Sequence, residues 1–551
     1  MQSQDLKRAD AQVSAAAASH AHLEPEPHRN VGQEEQASEF KRDMGFWGNL
    51  ALGFTYLSPV VGVYTTIAVS LAIAGPPAFW MLVVAGVGQL LVACVFGEVV
   101  SQYPIAGGIY PWNRRLWGPK WGWISGWIYA IAITATIASV AYGAGPFLGA
   151  LFDIEMTPMA NVMLALAILL LATLTNFGGT KFLAKVAFVG FVLEIVATVC
   201  IGIWLFIATR KHDLSVLFTD FRPAELQEST PFIGAFIASA IFGIYLYYGF
   251  EANGDVAEEV QDPSRVIPKA MRMTIYIGGI ASMFIALGLI LSVPDFAAVM
   301  DGTATDPVGA VFVEAFGPVG FKIVLAIVLV SYLSCTISLQ AAASRLMYSM
   351  GRDKQLPGST LLGKFNRERA VPPYALVLAG ILPAAFVVLS LLSADALMAI
   401  LSFAAFGIYM AFASVVVASI RARAKGWQPR GQFTMGGLGW VVSILALGYQ
   451  CFAMYTLIVP VPDVPWYQAW IVAIVSGIVL VAGLLYLFTA KPHLRGGGPT
   501  GDAHTGVIDL RYAEPIAQSE EVVDLAIRLD GGNPNLYPHR PRKSAQNRIT
   551  K

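Results

Sequence analysis

The stretch Phe242-Gly-Ile-Tyr-Leu-Tyr-Tyr-Gly-Phe-Glu251-Ala-Asn-Gly-Asp255-Val-Ala-Glu258-Glu259 decides how this chain folds. Hydropathy places it inside a membrane span, yet it carries three glycines, three tyrosines and four carboxylates. A charge held in hydrocarbon costs roughly 2.5 to 3.5 kcal/mol on insertion scales, so a plain apolar helix would not keep such residues. They suit a helix that breaks in mid-membrane, where glycines free the backbone and the released N–H and C=O groups line a polar site. The alternative is a glycine-rich packing face whose acids lie at the membrane edge. Acids and glycines interleave here rather than separate, which favours the break.

Composition agrees with a membrane setting. Of 551 residues, 56% are hydrophobic and only 13% charged, which excludes an ordinary soluble enzyme of this length. Lys+Arg and Asp+Glu are equal at 36 each, so no charge excess argues for nucleic acid. Cys94, Cys200, Cys335 and Cys451 all fall in apolar runs without metal-ligand spacing, and they read as small core residues. No metal, cofactor or catalytic constellation is expected. The polar first residues have no apolar h-region, so no cleaved signal is expected there.

Working outward, apolar runs long enough to span recur at about 46–74, 77–101, 121–151, 159–175, 180–209 and 231–257. They continue at about 270–294, 318–347, 373–392, 395–419, 435–459 and 466–489, twelve in all. Lys and Arg concentrate in alternate loops, among them Arg114/Arg115/Lys120, Arg265/Lys269/Arg272 and Arg421/Arg423/Lys425/Arg430. The positive-inside rule then places both termini in the cytoplasm, in a cell (plasma or inner) membrane. The connection 209–231 carries Arg210, Lys211 and Arg222 on the opposite side, and its length suggests a small surface helix. The expected organisation is a cytoplasmic tail at 1–43, a transmembrane domain at 44–490 and a cytoplasmic tail at 491–551. A short helix at 516–529 and a solvated segment there are equally open.

The first span holds a second candidate break, Gly53-Phe-Thr-Tyr-Leu-Ser58-Pro59-Val-Val61-Gly62-Val-Tyr64. Pro59 removes a backbone donor and clashes with the preceding turn. Spans one and six are where two five-helix inverted repeats would place corresponding broken helices. The second half-helix would then aim free N–H groups at a polar ligand, while carbonyls of the sixth span accept from an ammonium.

At this point several stretches, taken together, resemble the amino acid-polyamine-organocation permeases. Glu98-Val-Val-Ser-Gln-Tyr103-Pro104-Ile-Ala-Gly107-Gly108-Ile-Tyr110 followed by Trp121-Gly-Trp-Ile-Ser125-Gly126-Trp127 is similar to the second-to-third-helix signature of that superfamily. Gly249-Phe250-Glu251 through Glu258-Glu259-Val-Gln-Asp262-Pro263-Ser264-Arg265 resembles its sixth-helix motif. Arg345-Leu-Met-Tyr348-Ser-Met-Gly-Arg352-Asp353 and Gly431-Gln-Phe433-Thr-Met-Gly436 resemble its loop after helix eight and its entry to helix eleven. The resemblance spans about 46–490. It implies an all-α integral membrane protein of about twelve transmembrane helices, with a 5+5 inverted-repeat fold, broken first and sixth helices and secondary transport by alternating access. Two departures from the pattern matter. Val60-Val61-Gly62-Val63-Tyr64 keeps only the central glycine of the family's carboxylate-binding turn, which shifts weight toward the amino acid/choline branch, whose substrates include gamma-aminobutyrate and choline. Glu194 stands where several proton-coupled relatives carry a lysine.

The expected substrate site comprises Ser58, Val61 and Gly62 with Phe242, Tyr245, Tyr248 and Gly249; the tyrosines are candidates for an aromatic cage around an ammonium or for packing. Glu194, Glu251 and Asp255 are candidates for coupling or gating. Glu194 can bind and release a proton, pair with a cationic substrate, or simply bond a neighbouring helix. Glu251 can hold the two half-helices or engage an amine. Asp255, Glu258 and Glu259 form a proton ladder or a latch against Arg265, Lys269 or Arg114/Arg115. Ser331, Ser334 and Ser338 are hydroxyls that could coordinate sodium or bond their own helix. The functional expectation is a secondary transporter of a small amino acid or amine, driven by protons rather than sodium, with membrane lipid as its surroundings. An exchanger, or a nutrient sensor derived from such a transporter, is the alternative. Oligomeric state is left open.

Overall fold

The computed structural model describes residues 40–495 apart from 230, 305, 392–393 and 461–463. The two tails, and the segment 516–529 within the second, lie outside the described residues except for 40–43 and 491–495. Among the described residues, ten helices are long and apolar enough to cross a membrane, and Phe232–Ile244 and Pro373–Leu389 are shorter apolar helices. The twelve segments are all-α, and among the described residues β-structure is limited to isolated bridges at Met44/Val260 and Asn366/Val371.

The first span is Phe46–Leu57 followed by Pro59–Ala74. Spans two to five are Phe79–Gln102, Pro119–Gly143, Pro158–Asn176 and Thr180–Trp204. The sixth consists of the pieces Phe232–Ala238, Ile241–Ile244 and Ala252–Asp255. Spans seven to twelve are Pro263–Ser292, Pro307–Arg352, Pro373–Leu389, Ala394–Ala424, Leu438–Ile458 and Ile471–Thr489. The eighth kinks where Gly317 leaves helical geometry just before Pro318. The long connection between the fifth and sixth spans contains Leu214–Phe218 and Ala224–Ser229, short helices as its length suggested.

Packing divides the segments into two groups. Spans one, two and six all pack on span seven, with span six also against one and two, and spans three, four, eight and nine lie against each other. The fifth and eighth spans contact the first across the divide, while the tenth packs on the third and the eleventh on the second. No water reaches the interior of a bilayer, so every backbone group released by a break needs a donor or acceptor from the protein. The breaks therefore recruit side chains from both groups, and those side chains build the site.

Candidate substrate and coupling site

The first break falls at Ser58, whose backbone at φ 42°, ψ 93° is not helical. Pro59 has no N–H to give the preceding turn, and it opens the second half-helix at a position where that loss costs nothing. The donors of the new N-terminus are taken from nearby. Val61 N–H donates to Ser58 Oγ at 3.3 Å and Gly62 N–H to the Ser58 carbonyl at 2.9 Å. Val60 N–H donates to Glu194 Oε1 at 3.0 Å, and Ser58 Oγ donates to the same oxygen at 2.7 Å. Glu194, from the fifth span, is 1% exposed, and its Oε2 has no hydrogen-bond partner. A carboxylate at a helix N-terminus is favourably placed, because the half-helix dipole and the free N–H groups both attract negative charge. Glu194 thus bonds a neighbouring helix at the N-terminus of its second half.

The second break sits directly against the first. Gly249 has φ +122°, which side chains rarely adopt, and a Cβ added there would lie 2.7 Å from the Leu57 backbone nitrogen. At Gly62 a Cβ would meet Leu246 at 2.9 Å. Further along, Asn49 Nδ2 donates to the Asn253 carbonyl at 3.0 Å, so the broken spans run past each other in opposite directions. Glu251 turns back on its own break, with Oε2 accepting from Gly249 N–H at 2.7 Å. Its Oε1 lies 3.4 Å from Tyr129 Oη, and Asp255 Oδ2 accepts from that hydroxyl at 3.0 Å. One phenol from the third span therefore stands between two fully buried carboxylates. Sequence reasoning missed Tyr129, since nothing in its spacing marks it out within an apolar run.

Carbonyls near the breaks are met by side chains of the tenth and eighth spans. Tyr409 Oη donates to the Ile244 carbonyl at 3.1 Å, and Cys335 Sγ lies 3.2 Å from the Tyr56 carbonyl. The helix ends at Ile244, so Phe242, Tyr245 and Tyr248 do not continue along one regular helical face. Tyr245 and Tyr248 still meet edge to face at 6.0 Å, and Tyr56 joins Tyr248 at 6.3 Å. Tyr64 turns instead to Phe312, and Tyr409 to Phe412 and Tyr449. Phe242 is fully buried. Of the eighth-span hydroxyls, Ser338 Oγ is 2.7 Å from Thr55 Oγ of the first span, and Ser334 abuts Gly190 of the fifth.

The acids after the sixth span pair with arginines at the end of the eighth. Glu259 pairs with Arg345, at 2.7 Å to Nε and 3.2 Å to Nη2, and both side chains are fully buried. Glu258 pairs with Arg352 at 3.1 Å and accepts from Ala106 N–H at 3.1 Å. Arg114 pairs with Asp353. The eighth span continues to Arg352, and its extra turns carry both arginines past the sixth-span acids. A second closure on the same face joins Glu98 of the second span to Arg423 and to Met435 N–H.

Twelve membrane segments, two of them broken and facing each other around buried carboxylates, define an all-α integral membrane permease. The sequence model of the amino acid permease family matches residues 44–483. The chain belongs to that family and is a transporter of amino acids, not an enzyme. It is similar to amino-acid permease BAT1 of Arabidopsis thaliana, with 24% identity over 486 residues covering 83% of this chain and 93% of the relative. The rice homolog of BAT1 is 25% identical over 464 residues, covering 76% and 87%. Amino-acid permease 2 of Neurospora crassa is 22% identical over 515 residues, covering 90% of each.

Proposed function

We propose that this permease is a secondary active transporter that moves a small amino acid or amine by alternating access, with the proton as coupling ion and both termini in the cytoplasm of a plasma or inner membrane. The observation that carries the reading is the carboxylate of Glu194 on the N–H of Val60 and the hydroxyl of Ser58. A substrate carboxylate would need the same two donors, and two carboxylates cannot share them while both are charged. A proton on Oε2, the oxygen without a partner, removes the charge and lets Ser58 and Val60 turn to the substrate. Substrate and proton then enter together. A substrate lacking a carboxylate would instead bring its ammonium to Glu194 and to the faces of Tyr245 and Tyr248. Phe242, Val61, Gly62 and Gly249 shape the space between the breaks, while Glu251, Tyr129 and Asp255 hold the sixth-span break. Rocking of spans one and six against spans three and eight, with opening of the Glu258/Glu259 latch, exposes the site to each side in turn.

The test is uptake into proteoliposomes of radiolabelled gamma-aminobutyrate, choline, ethanolamine, putrescine, alanine and arginine, under an imposed proton gradient and then a sodium gradient. Wild-type protein should accumulate at least one of them on the proton gradient alone. Glu194→Gln keeps the shape and an acceptor oxygen but holds no exchangeable charge, so it should retain counterflow and lose proton-driven accumulation. Counterflow without accumulation in the wild type would make the protein an exchanger, and binding without either would make it a sensor.

A further inference from the structure

On the face that carries the latch, the start of the third span, the end of the tenth and the turn Pro492–Leu494 after the twelfth enclose a cavity of about 760 Å³. One wall is a pair of indoles, Trp117 and Trp121, stacked 4.1 Å apart between centroids. The guanidinium of Arg421 lies 4.6 Å over the Trp117 ring. Lys120, Lys491 and His493 supply the other polar groups, and no carboxylate is among the described lining residues. His493 Nδ1 is buried and makes no hydrogen bond. Burial, and then the ammoniums of Lys120 and Lys491, hold its imidazolium below the ordinary range, as expected in a concentrated positive field.

The apolar side of the cavity leads out of the protein. Phe488, at its rim, is 60% exposed, and Leu485, Val481 and Ile478 are exposed above it. These four recur at three- and four-residue steps, so they form one continuous stripe along the outer face of the twelfth span. A compact cationic pocket walled by tryptophans at a span terminus, opening onto an apolar stripe, matches a molecule with a phosphate at one end and hydrocarbon at the other.

We propose that this cavity binds the headgroup phosphate of an anionic phospholipid, whose acyl chains run along Phe488, Leu485 and Val481. Lys120 and Lys491 hold the phosphate, the neutral imidazole donates one hydrogen bond, and the indole pair sets the depth of the glycerol backbone. A lipid seated there ties the end of the twelfth span to the start of the third, so its loss loosens that junction.

The experiment titrates full-length protein in detergent with dioctanoyl phosphatidylglycerol, dioctanoyl phosphatidylcholine or inorganic phosphate, and reads the midpoint of thermal unfolding. Phosphatidylglycerol should raise the midpoint at much lower concentration than the other two. Each cation near a membrane surface contributes roughly fivefold in anionic lipid affinity, so Lys120→Gln/Lys491→Gln should weaken the response about twenty-five-fold. Both lysines are exposed, so the variant keeps its fold. Lys425→Gln/Arg430→Gln removes two exposed cations of the same face outside the cavity and should leave the response unchanged. Equal weakening by both pairs would show diffuse charge attraction and overturn the site. Equal protection by phosphatidylcholine, or by inorganic phosphate, would overturn the assignment to an anionic lipid.

Discussion

Replacing Arg345 by methionine tests whether the latch holds the permease closed. Both members of the Arg345–Glu259 pair are fully excluded from solvent, so solvent does not weaken their attraction, and removing one strands the other. Stranding a buried charge costs about 3 to 5 kcal/mol. Thr180 Oγ also donates to Glu259 Oε2 and would remain, which puts the cost near the lower limit. About 3 kcal/mol corresponds to roughly a hundredfold shift in an equilibrium, if the open state lets water reach the carboxylate. Cys335 reports that equilibrium, because it is buried beside the Tyr56 carbonyl at the first break. With Cys94, Cys200 and Cys451 replaced by alanine, the rate at which a thiol reagent modifies Cys335 measures opening. Arg345→Met should raise this rate toward a hundredfold and lower the melting temperature. Arg345→Met/Glu259→Leu removes the stranded carboxylate as well and should recover more than half of the loss. If the single variant reacts at the wild-type rate, or the double is as open as the single, the pair is not what closes this face.

Other perturbations probe the breaks and the loop between the fifth and sixth spans. Gly249→Ala forces a side chain into a conformation costing about 1 to 3 kcal/mol and against the Leu57 backbone, so it should lower the melting temperature and abolish uptake; Gly448→Ala, with nothing within 4 Å of the new methyl, should do neither. Tyr129→Phe leaves Glu251 and Asp255 without their shared donor and should cost about 1 to 3 kcal/mol in thermal unfolding, whereas Tyr142→Phe should cost little. Asp220 is held below the usual carboxylate range first by its hydrogen bonds from the Arg222 side chain. A lowered folded value means stability present above the unfolded value, near 4, and lost as pH falls through the folded one. Asp220→Asn should therefore lower the melting temperature slightly at pH 7, by a fraction of a kcal/mol, and make no difference in strong acid.

How far the site could be read from the sequence depends on the range of the interaction concerned. The breaks were legible because their causes are local: Pro59 lacks an N–H wherever it stands, and glycines among carboxylates cannot make a uniform membrane helix. The latch was half legible. The acids at 258 and 259 needed cations, but arginines were available on several loops, and only the full length of the eighth span selects Arg345 and Arg352. Tyr129 was illegible, because its role exists only where the third span crosses the sixth.

Glu194 links these two kinds of information. Its sequence position marked it as a departure from a pattern, with three roles left open. The geometry shows one of them, a bond to a neighbouring helix through the N-terminal donors of a broken span, and the proposed coupling role adds that an anionic ligand would compete for those donors. A charged lysine at the same place could not accept from Val60 N–H, so that hydrogen bond at the first break would be lost. On this reading Glu194→Lys should fail to restore the transport that Glu194→Gln loses, and should destabilise the break, whereas Glu194→Asp, one methylene shorter, should keep coupling with a weaker hold on Val60. If the lysine variant transported as well as the wild type, the fifth span would contribute only bulk at this position, and the coupling role would pass to Glu251 and Asp255.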